Sequence, residues 1–442
     1  MLTESARARL TLFAFGDFAF NLYWQSITLF LLYYYTDALE LPVTTAALIY
    51  SVATVWDGIA NFVAGLLSDR WRRRSGYRLL LIVGSVPLGL ACVATYLAPW
   101  GYGLWPLLLL TAGHLMFRTL YAAVNVAYLV LGARLSDDSG ERAYLAGARM
   151  VFGTLAWVVV ARGTVPIGHW LTSSPVATDA YFGAALVFAA AATVILLLVG
   201  AAARDGKVNE AGAAPDLMAG LRSLAANRAF VTLNLAMMAV TVAIAVLNKS
   251  ILYYFKYALG DEAAGMQALT WIGLIGLPAM PLWMRLRRRI GTRGLWFFAA
   301  GGAVIGLAAL FSIGNGAEAA QICLTALQAL FVGVQFAFWA MLPNTIEYGE
   351  KTTGLRVEGT VFGVAALSQR IAIGFATLIL GATFERVGYV ANAQPTSAML
   401  EAIRLTMSVA PGLFLALSCL AMALNPLGRG VHARVLGELK QE

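Results

Sequence analysis

Charged side chains occur inside long apolar segments of this chain, where water should be scarce. Asp57 stands within the run VTTAALIYSVATVWDGIANFVAGLL, and Asp17 stands within an earlier run that begins near Leu10. A carboxylate in hydrocarbon costs about 3 kcal/mol, so it is expected to meet a cation, a proton or a polar ligand. The chemistry these residues could perform is the binding and passage of a polar solute.

Helical spacing places several polar side chains on common faces. Asp57 and Asn61 are four residues apart, so they share one side of a helix and could bind a coupling cation. Arg118, Tyr121 and Asn125 follow the i, i+3, i+7 pattern of a single face. We predict that these three belong to a larger ligand site. The predicted substrate-binding residues are Asp17, Arg118, Tyr121, Asn125, Arg149, Trp339 and Arg370.

Cations outnumber acids within the apolar segments. The cations are Arg118, Arg149, Arg162, Lys249 and Arg370, and the acids are Asp17 and Asp57. Uncompensated positive charge in a cavity of low dielectric constant is unfavourable unless an anion neutralises it. The imbalance predicts a substrate with a carboxylate, sulfonate or phosphate group. Arg162 and Lys249 could instead extend toward a membrane interface, and His114 is expected to be a hydrogen-bonded packing residue.

Composition excludes a water-soluble protein. The chain has 442 residues, of which 60% are hydrophobic and 12% are charged, and its mean hydropathy is +0.74. Soluble proteins contain about 25% charged residues, so most of this surface must face lipid. Much of the basic charge behind the net +8 lies in short arginine clusters, which determine topology and do not indicate a nucleic-acid partner. Cys92, Cys323 and Cys419 show no metal or redox spacing, and we predict neither a bound metal nor a cofactor.

About twelve membrane-spanning helices are predicted, because each needs about 20 apolar residues. The segments are 10–36, 44–68, 78–98, 103–133, 143–170, 178–203, 228–258, 264–285, 294–314, 317–346, 359–387 and 401–425. The polar stretch 204–227 divides them into two groups of six. We therefore predict an all-α membrane protein with an N-terminal bundle at 1–203, a cytoplasmic linker at 204–227 and a C-terminal bundle at 228–442.

Arginine-rich loops determine the predicted orientation. The loops DRWRRRSGYR and RLRRRIGTR are strongly basic, whereas DALELPV, APWGYG and NGAEAA contain no lysine or arginine. The positive-inside rule then places both termini and the linker in the cytoplasm. The segment MLTESARARL lacks a small-residue cleavage site, so the first span is expected to be retained. We expect a monomer in the inner membrane that contacts lipid and a small-molecule substrate.

Residues 65–70, GLLSDR, and the basic loop after them resemble the cytoplasmic motif of the major facilitator superfamily. Longer stretches resemble the melibiose-permease family, the glycoside–pentoside–hexuronide:cation symporters. Examples are GDFAFNLYWQSITLFLLYYYTD, VWDGIANFVAGLLSDRWRRRSGYR, YYFKY and EYGEKTTGLRVEG. This resemblance extends beyond residue 370 and implies a major facilitator fold of two six-helix bundles, with alternating access around a central site.

The family resemblance also implies roles for single residues. Its known members use aspartates of the first and fourth spans to bind sugar hydroxyls, and an arginine of the fifth span supports them. Asp17 and Arg149 match this pattern, whereas Asn125 stands at the fourth-span aspartate position. Arg370 corresponds to the family's eleventh-span lysine. The resemblance thus implies a secondary active transporter of a sugar or sugar-like substrate.

A second set of family positions binds the coupling ion. Family sodium sites use two second-span carboxylates four residues apart, an amide just before the second, and a fourth-span threonine. Asp57 keeps the first carboxylate, but the other three positions are Asn61, Ala60 and Ala122. Na⁺ needs several hard oxygen ligands, as Ca²⁺ does, whereas a proton needs one carboxylate. We predict proton coupling through Asp57; alternatively, Arg118 holds Asp57 ionised and the protein is a uniporter.

The sequence leaves two other functions open. One is the transport of a lysophospholipid or similar amphiphile, and the other is a scaffold or receptor that retains the fold. An enzyme is not expected, because the sequence contains no nucleophile elbow, HExxH motif or phosphate loop. Acidic and basic residues near cytoplasmic helix ends are predicted to form gating contacts. They are Asp69, Arg70, Glu347, Glu350, Arg356 and Glu358.

Overall fold

The computed structural model describes residues 4–70, 76–99, 103–133, 135, 139–203, 217–313, 316–355, 357–428 and 431. The side chains of residues 4–6, 66, 68–70, 133, 139–140, 142–143, 217 and 358–359 lie outside this description. The described backbone is helical and contains no strand. In hydrocarbon every N–H and C=O group must be paired within its own segment, which an α-helix achieves. The predicted all-α class is confirmed.

Six helices form the first of two compact units, which comprises Met1–Ala211 and Val390–Ala393. They are α1 (Glu4–Ser26), α2 (Val43–Arg70), α3 (Tyr77–Ala94), α4 (Leu104–Ala133), α5 (Ser139–Thr172) and α6 (Ala177–Ala202). Two π-helical turns, Ile27–Leu31 and Tyr34–Ala38, extend α1. α1 packs against α5 and α6, and α4 packs against α2 and α3.

Seven helices form the second unit, which comprises Gly212–Tyr389 and Gln394–Glu442. They are α7 (Leu217–Ala226), α8 (Arg228–Tyr253), α9 (Glu262–Ser312), α10 (Ala317–Thr353), α11 (Glu358–Arg386), α12 (Ser397–Met407) and α13 (Val409–Ala423). α8 packs against α11 and α13, while α9 packs against α10. Small buried residues, among them Ala245, Ala372 and Ala376, allow α8 and α11 to approach closely.

The described helices agree with about twelve membrane crossings. Ten helices or helix pairs are long and apolar enough to cross a bilayer. One of these, α9, has 51 residues and bends at Gly291, where φ is 77° and ψ is 167°, so it can cross twice. α1 is not among the ten; it contains the polar residues Asp17, Asn21 and Gln25, and a count that includes it agrees with the predicted twelve.

Three predicted regions differ from the structure. Segments 264–285 and 294–314 lie on the two sides of the kink in α9 at Gly291, but the arginine-rich stretch between them, predicted as a loop, is helical on either side of that residue. Segment 401–425 is divided into α12 and α13 at Ser408. The linker 204–227 contains α7, and the hydroxyl of Ser223 on this helix lies 2.7 Å from that of Thr353 on α10.

A tyrosine-rich turn recurs in both units. The stretches LYYYTDAL at 32–39 and LYYFKYAL at 252–259 follow the first long helix of each unit. The N–H of Leu39 donates to the carbonyl of Tyr34 at 2.9 Å, and the N–H of Leu259 donates to that of Tyr254 at 3.1 Å. Both bonds span five residues, which is the π-helical pattern. Equivalent turns at equivalent places are what a parallel internal repeat produces.

The two arginine-rich loops each lead to an arginine that binds the end of another helix. Arg78 Nε donates to the Gly200 carbonyl at 3.0 Å, at the C-terminus of α6. Arg293 Nη2 donates to the Ala423 carbonyl at 2.8 Å, at the C-terminus of α13. The last carbonyls of a helix lack intrahelical donors, and a cation there also interacts favourably with the helix dipole. Part of the basic charge therefore stabilises the helix ends.

Large apolar side chains cover the outer faces of the helices. On α3, Leu79, Val83, Val86 and Leu90 recur three or four residues apart and are all exposed. A water-soluble protein seldom exposes so continuous a stripe, whereas hydrocarbon accommodates it. The described helices therefore belong to a multi-pass membrane protein.

Candidate functional site

An ion pair between α1 and α5 is the first polar feature within the spans. Arg149 Nε donates to Asp17 Oδ2, and its Nη2 donates to Asp17 Oδ1 at 3.2 Å. This is the forked pairing that a guanidinium makes with a carboxylate. The side chain of Arg149 is 31% exposed and that of Asp17 is 15% exposed, so both charges are partly accessible to solvent.

Tyr128 of α4 completes this cluster. Its hydroxyl lies 2.8 Å from Asp17 Oδ2 and 2.8 Å from the carbonyl of Phe13. Its ring lies 5.5 Å from the Arg149 guanidinium and stacks on Phe13. Gly16 permits this approach, because a Cβ there would lie 2.6 Å from the Tyr128 ring. Three helices thus orient the Asp17 carboxylate.

A second charged pair is buried between α2 and α4. Arg118 Nη1 lies 3.9 Å from Asp57 Oδ2, and the two side chains are 1% and 0% exposed. Asn61 Nδ2 donates to the Asp57 carbonyl at 2.8 Å and to Oδ1 at 3.1 Å. Arg118 Nε donates to Nε2 of His114 at 3.2 Å. The opposite charges offset part of the desolvation cost, and the pair is closed to solutes that could reach Asp17.

Aromatic rings occupy the space between the two pairs. The Arg118 guanidinium lies 5.0 Å from the centre of the Trp24 ring. Ring contacts continue from Trp24 to Tyr121 at 5.5 Å, from Tyr121 to Phe20 at 5.7 Å, and from Phe20 to Tyr128 at 5.1 Å. Cation–π contacts and ring packing restrict the arginines at both ends of this row. The structure therefore brings together Asp17, Arg118, Tyr121 and Arg149 of the predicted site, along with Asp57 and Asn61.

Asn125 lies on the same face of α4, between Tyr121 and Tyr128 in the sequence. Its side chain is half-buried, and within the described part of the chain its amide forms no hydrogen bond. A half-buried amide in this condition can bind a solute hydroxyl or carboxylate, since it offers both donors and an acceptor.

The predicted residues of the second unit lie on three helices. Arg370 on α11 is half-buried, and Ser368, two residues earlier, accepts a hydrogen bond from Asn234 Nδ2 of α8 at 2.9 Å. Trp339 on α10 is 51% exposed. Lys249 on α8 is half-buried, with a buried Nζ. Binding roles for Trp339 and Arg370 stay predictions.

Two of the predicted gating residues fall within the described side chains. Glu347 and Glu350 lie in the last two turns of α10, and both are half-buried. The side chains of Asp69, Arg70 and Glu358, and the whole of Arg356, lie outside the described residues. The gating role stays a prediction.

The structure alters the charge balance inferred from the sequence. Arg149 is paired with Asp17, and Arg118 lies beside Asp57. Arg162 is exposed on α5. These three arginines are therefore not uncompensated charges of a closed cavity, and the excess of cations is a weaker argument for an anionic substrate than the sequence suggested.

Comparison with known proteins identifies the family. A family model described as MFS/sugar transport protein matches residues 12–429. The chain belongs to this family. The protein is thus a membrane transporter of the major facilitator type, which confirms the fold and the family that the residue patterns implied.

Relatives of this MFS/sugar transport protein align over nearly their whole length. The uncharacterized symporter YnaJ of Bacillus subtilis (strain 168) is 26% identical over 97% of this chain and 93% of its own. The putative 2,3-dihydroxypropane-1-sulfonate exporter of Salmonella typhimurium is 24% identical over 97% and 94%. The glucuronide carrier protein homolog of Escherichia coli (strain K12) is 27% identical over 94% and 91%.

Solved structures share the fold at low sequence identity. A bacterial homolog of the human lysosomal transporter Spinster has a TM-score of 0.71 at 13% identity and covers 96% of this chain and 98% of its own. A D-xylose-proton symporter has a TM-score of 0.64 at 14% identity over 96% and 98%. At such identities the likeness concerns the fold alone.

Sequence reasoning did not select Tyr128 for the transporter's site and assigned His114 to packing. Tyr128 lies three residues after Asn125 and seven after Tyr121, so extending the same helical face by one turn finds it. His114 lies four residues before Arg118, and the i, i+4 spacing indicates their contact.

Proposed function

We infer that this transporter moves a hydroxylated organic anion, a sugar acid or a short polyol with an acid group, across the cytoplasmic membrane together with a proton. The observation that carries this proposal is the partly exposed Asp17–Arg149 pair. Asp17 can accept hydrogen bonds from hydroxyl groups. Asp17 takes one N–H each from Nε and Nη2 of Arg149, so the five N–H groups of the guanidinium include others that an anionic oxygen can accept. Asn125 adds an amide, and Tyr121 adds an aromatic surface.

The names of the relatives support this substrate class. Glucuronide and 2,3-dihydroxypropane-1-sulfonate each combine hydroxyl groups with an acidic group. Arginine suits both acids, because its fork of donors matches planar carboxylates and presents several N–H groups to a sulfonate.

Asp57 supports coupling to protons. Its carboxylate is fully buried, with Arg118 Nη1 at 3.9 Å from Oδ2 and Asn61 Nδ2 donating to Oδ1 at 3.1 Å. A proton that enters from the acidic side can neutralise the carboxylate, whereas a metal ion would need further oxygen ligands where the chain has Ala60 and Ala122. One observation favours the alternative of uniport: Arg118 is close enough to keep Asp57 ionised throughout the cycle.

Uptake into proteoliposomes tests the proposal. We would compare labelled methyl glucuronide with methyl glucoside, which differ in one carboxylate, with and without a proton gradient. We expect preference for the glucuronide by about tenfold, the value of one charge-assisted hydrogen bond, and accumulation that a protonophore abolishes.

The same uptake assay tests the charge of the substrate and the coupling to protons separately. Preference for the neutral glucoside would contradict an anionic substrate. Accumulation that requires Na⁺ and ignores the protonophore would contradict proton coupling. Equilibration of the glucuronide without accumulation under any gradient would favour uniport.

A further inference from the structure

The cluster around Arg118 contains an ionisable group that the proposed function does not use. His114 lies one helical turn before Arg118 on α4 and is fully buried. Its Nε2 receives the Arg118 Nε hydrogen bond at 3.2 Å. A guanidinium can only donate, so Nε2 is unprotonated in this arrangement. The imidazole is therefore neutral, with its proton on Nδ1.

Arg118 Nη1 and the Tyr35 hydroxyl are among the buried polar atoms of this cluster that lack a hydrogen-bond partner within the described chain. Arg118 Nη1 is 3.9 Å from Asp57 Oδ2, which is longer than a hydrogen bond, and it forms no hydrogen bond within the described chain. The buried hydroxyl of Tyr35, whose ring lies 6.3 Å from that of His114, likewise has no such partner there. Buried polar groups in this condition cost free energy, which favours a second arrangement that satisfies both.

We propose that His114 is a proton-binding site of this transporter, and that its protonation moves Arg118 from His114 to Asp57. The proposal rests on the proton coupling inferred above and names a second group that takes part in it. A proton from the acidic side binds Nε2, which removes the acceptor of Arg118 and places two cations side by side. Arg118 then shifts by about 1 Å to hydrogen-bond Asp57 directly. The imidazolium then carries an N–H on both ring nitrogens, and the Tyr35 ring, with its buried hydroxyl, lies 6.3 Å from the His114 ring.

The groups that face His114 suit this exchange. They are Tyr50 on α2, Tyr35 at the end of the first span and Arg118 on α4 itself. Asp57 on α2 lies beside Arg118, and Tyr96, which follows the end of α3, lies near Tyr35. Asp57 is the anion of this set and stabilises the added positive charge.

Trp24 provides a readout that does not depend on transport, because Arg118 lies 5.0 Å from its ring. Tryptophan emission of the purified protein in lipid nanodiscs would be recorded between about pH 5 and 8. The spectrum of the matching Trp24→Phe variant would be subtracted in each case. We expect a single transition in the native protein, loss of the transition in His114→Gln, and retention in His169→Gln.

The two histidine variants form a matched pair. Glutamine at 114 keeps an acceptor for Arg118 but cannot titrate. His169 lies in the last turn of α5, where its Nδ1 is 2.6 Å from the Ser174 carbonyl, so its replacement tests the same chemical change elsewhere. If His114→Gln unfolds at a lower temperature than the native protein, His114→Asn provides a second non-titrating amide.

A transition that persists in both amide variants would overturn the proposal. In proteoliposomes we also expect His114→Gln to exchange methyl glucuronide across the membrane while losing stimulation by external acid; stimulation equal to that of the native protein would likewise overturn it. Failure of the proposed substrate gives a different result, in which the native protein moves no glucuronide but the Trp24 signal still titrates through His114.

Discussion

Among the described side chains, Asp17 and Arg149 form one of two ion pairs that join α1 to α5. The other, between Arg9 Nη2 and Glu141 Oε2 at 3.4 Å, lies eight residues earlier on both helices and has the opposite polarity. The Arg9 side chain is 55% exposed, compared with 31% for Arg149. Exposed ion pairs contribute about 0–1 kcal/mol to the free energy of unfolding. Removing one partner of a buried pair lowers that free energy by more, because the remaining charge has no counter-ion. The two pairs therefore allow a controlled comparison.

The change Asp17→Asn is expected to abolish substrate transport and to lower the free energy of unfolding by about 2 kcal/mol, because the amide leaves the Arg149 charge without its counter-ion. Thermal unfolding of the purified protein in detergent and uptake into proteoliposomes would measure the two effects. The control Glu141→Gln is expected to change stability by about 0.5 kcal/mol and to preserve uptake. Equal effects of the two changes would show that the Asp17 pair serves packing alone.

At the scale of the helices, the crossing of α5 and α6 depends on one residue without a side chain. Gly168 of α5 is buried against the backbone of Ala180 on α6, and a Cβ there would lie 2.7 Å from the Ala180 Cα. Backbone atoms cannot move aside as a flexible side chain could, so any larger residue must separate the helices. Small residues at such crossings are typical of membrane helices.

The change Gly168→Ala is expected to lower the free energy of unfolding by about 3 kcal/mol, or to prevent accumulation of folded protein. Gly147, on the same helix, has no atom within 4 Å of the position of a Cβ. Gly147→Ala should therefore be neutral or stabilise the helix by about 0.5 kcal/mol. Comparing the elution profiles and unfolding temperatures of the two variants would test the crossing, and a stable Gly168→Ala variant would contradict it.

For the molecule as a whole, the arginine-rich loops predict which ends of the helices face the cytoplasm. Arg222 on α7 and Val176 before α6 are both exposed and belong to opposite sides in this scheme. The topology can be measured with single cysteines in a protein whose three native cysteines are replaced by alanine. In intact cells, an impermeant maleimide should label Val176→Cys, whereas Arg222→Cys should react only after the cells are opened. The reverse pattern would invert the predicted orientation.

Composition and hydrophobic periodicity predicted the helices of this protein well, because each apolar segment must pair its own backbone groups in lipid. The arginine-rich stretch between 285 and 294 marked the boundary between two crossings, and the kink at Gly291 lies within it. The break at Ser408 escaped prediction for a physical reason. The apolar composition does not change there, so the end of α12 depends on a single residue.

The sequence alone determined that acids and arginines lie within the membrane, and the spacing of Asp57 with Asn61 and of Arg118 with Tyr121 and Asn125 determined which of them share a face. Tertiary structure decided which charges meet. Arg149 joins Asp17 across 132 positions of the chain, whereas Arg118 turns to His114 and Asp57. Those pairings depend on how α1, α4 and α5 pack, since local spacing can orient a side chain but cannot select its partner on another helix.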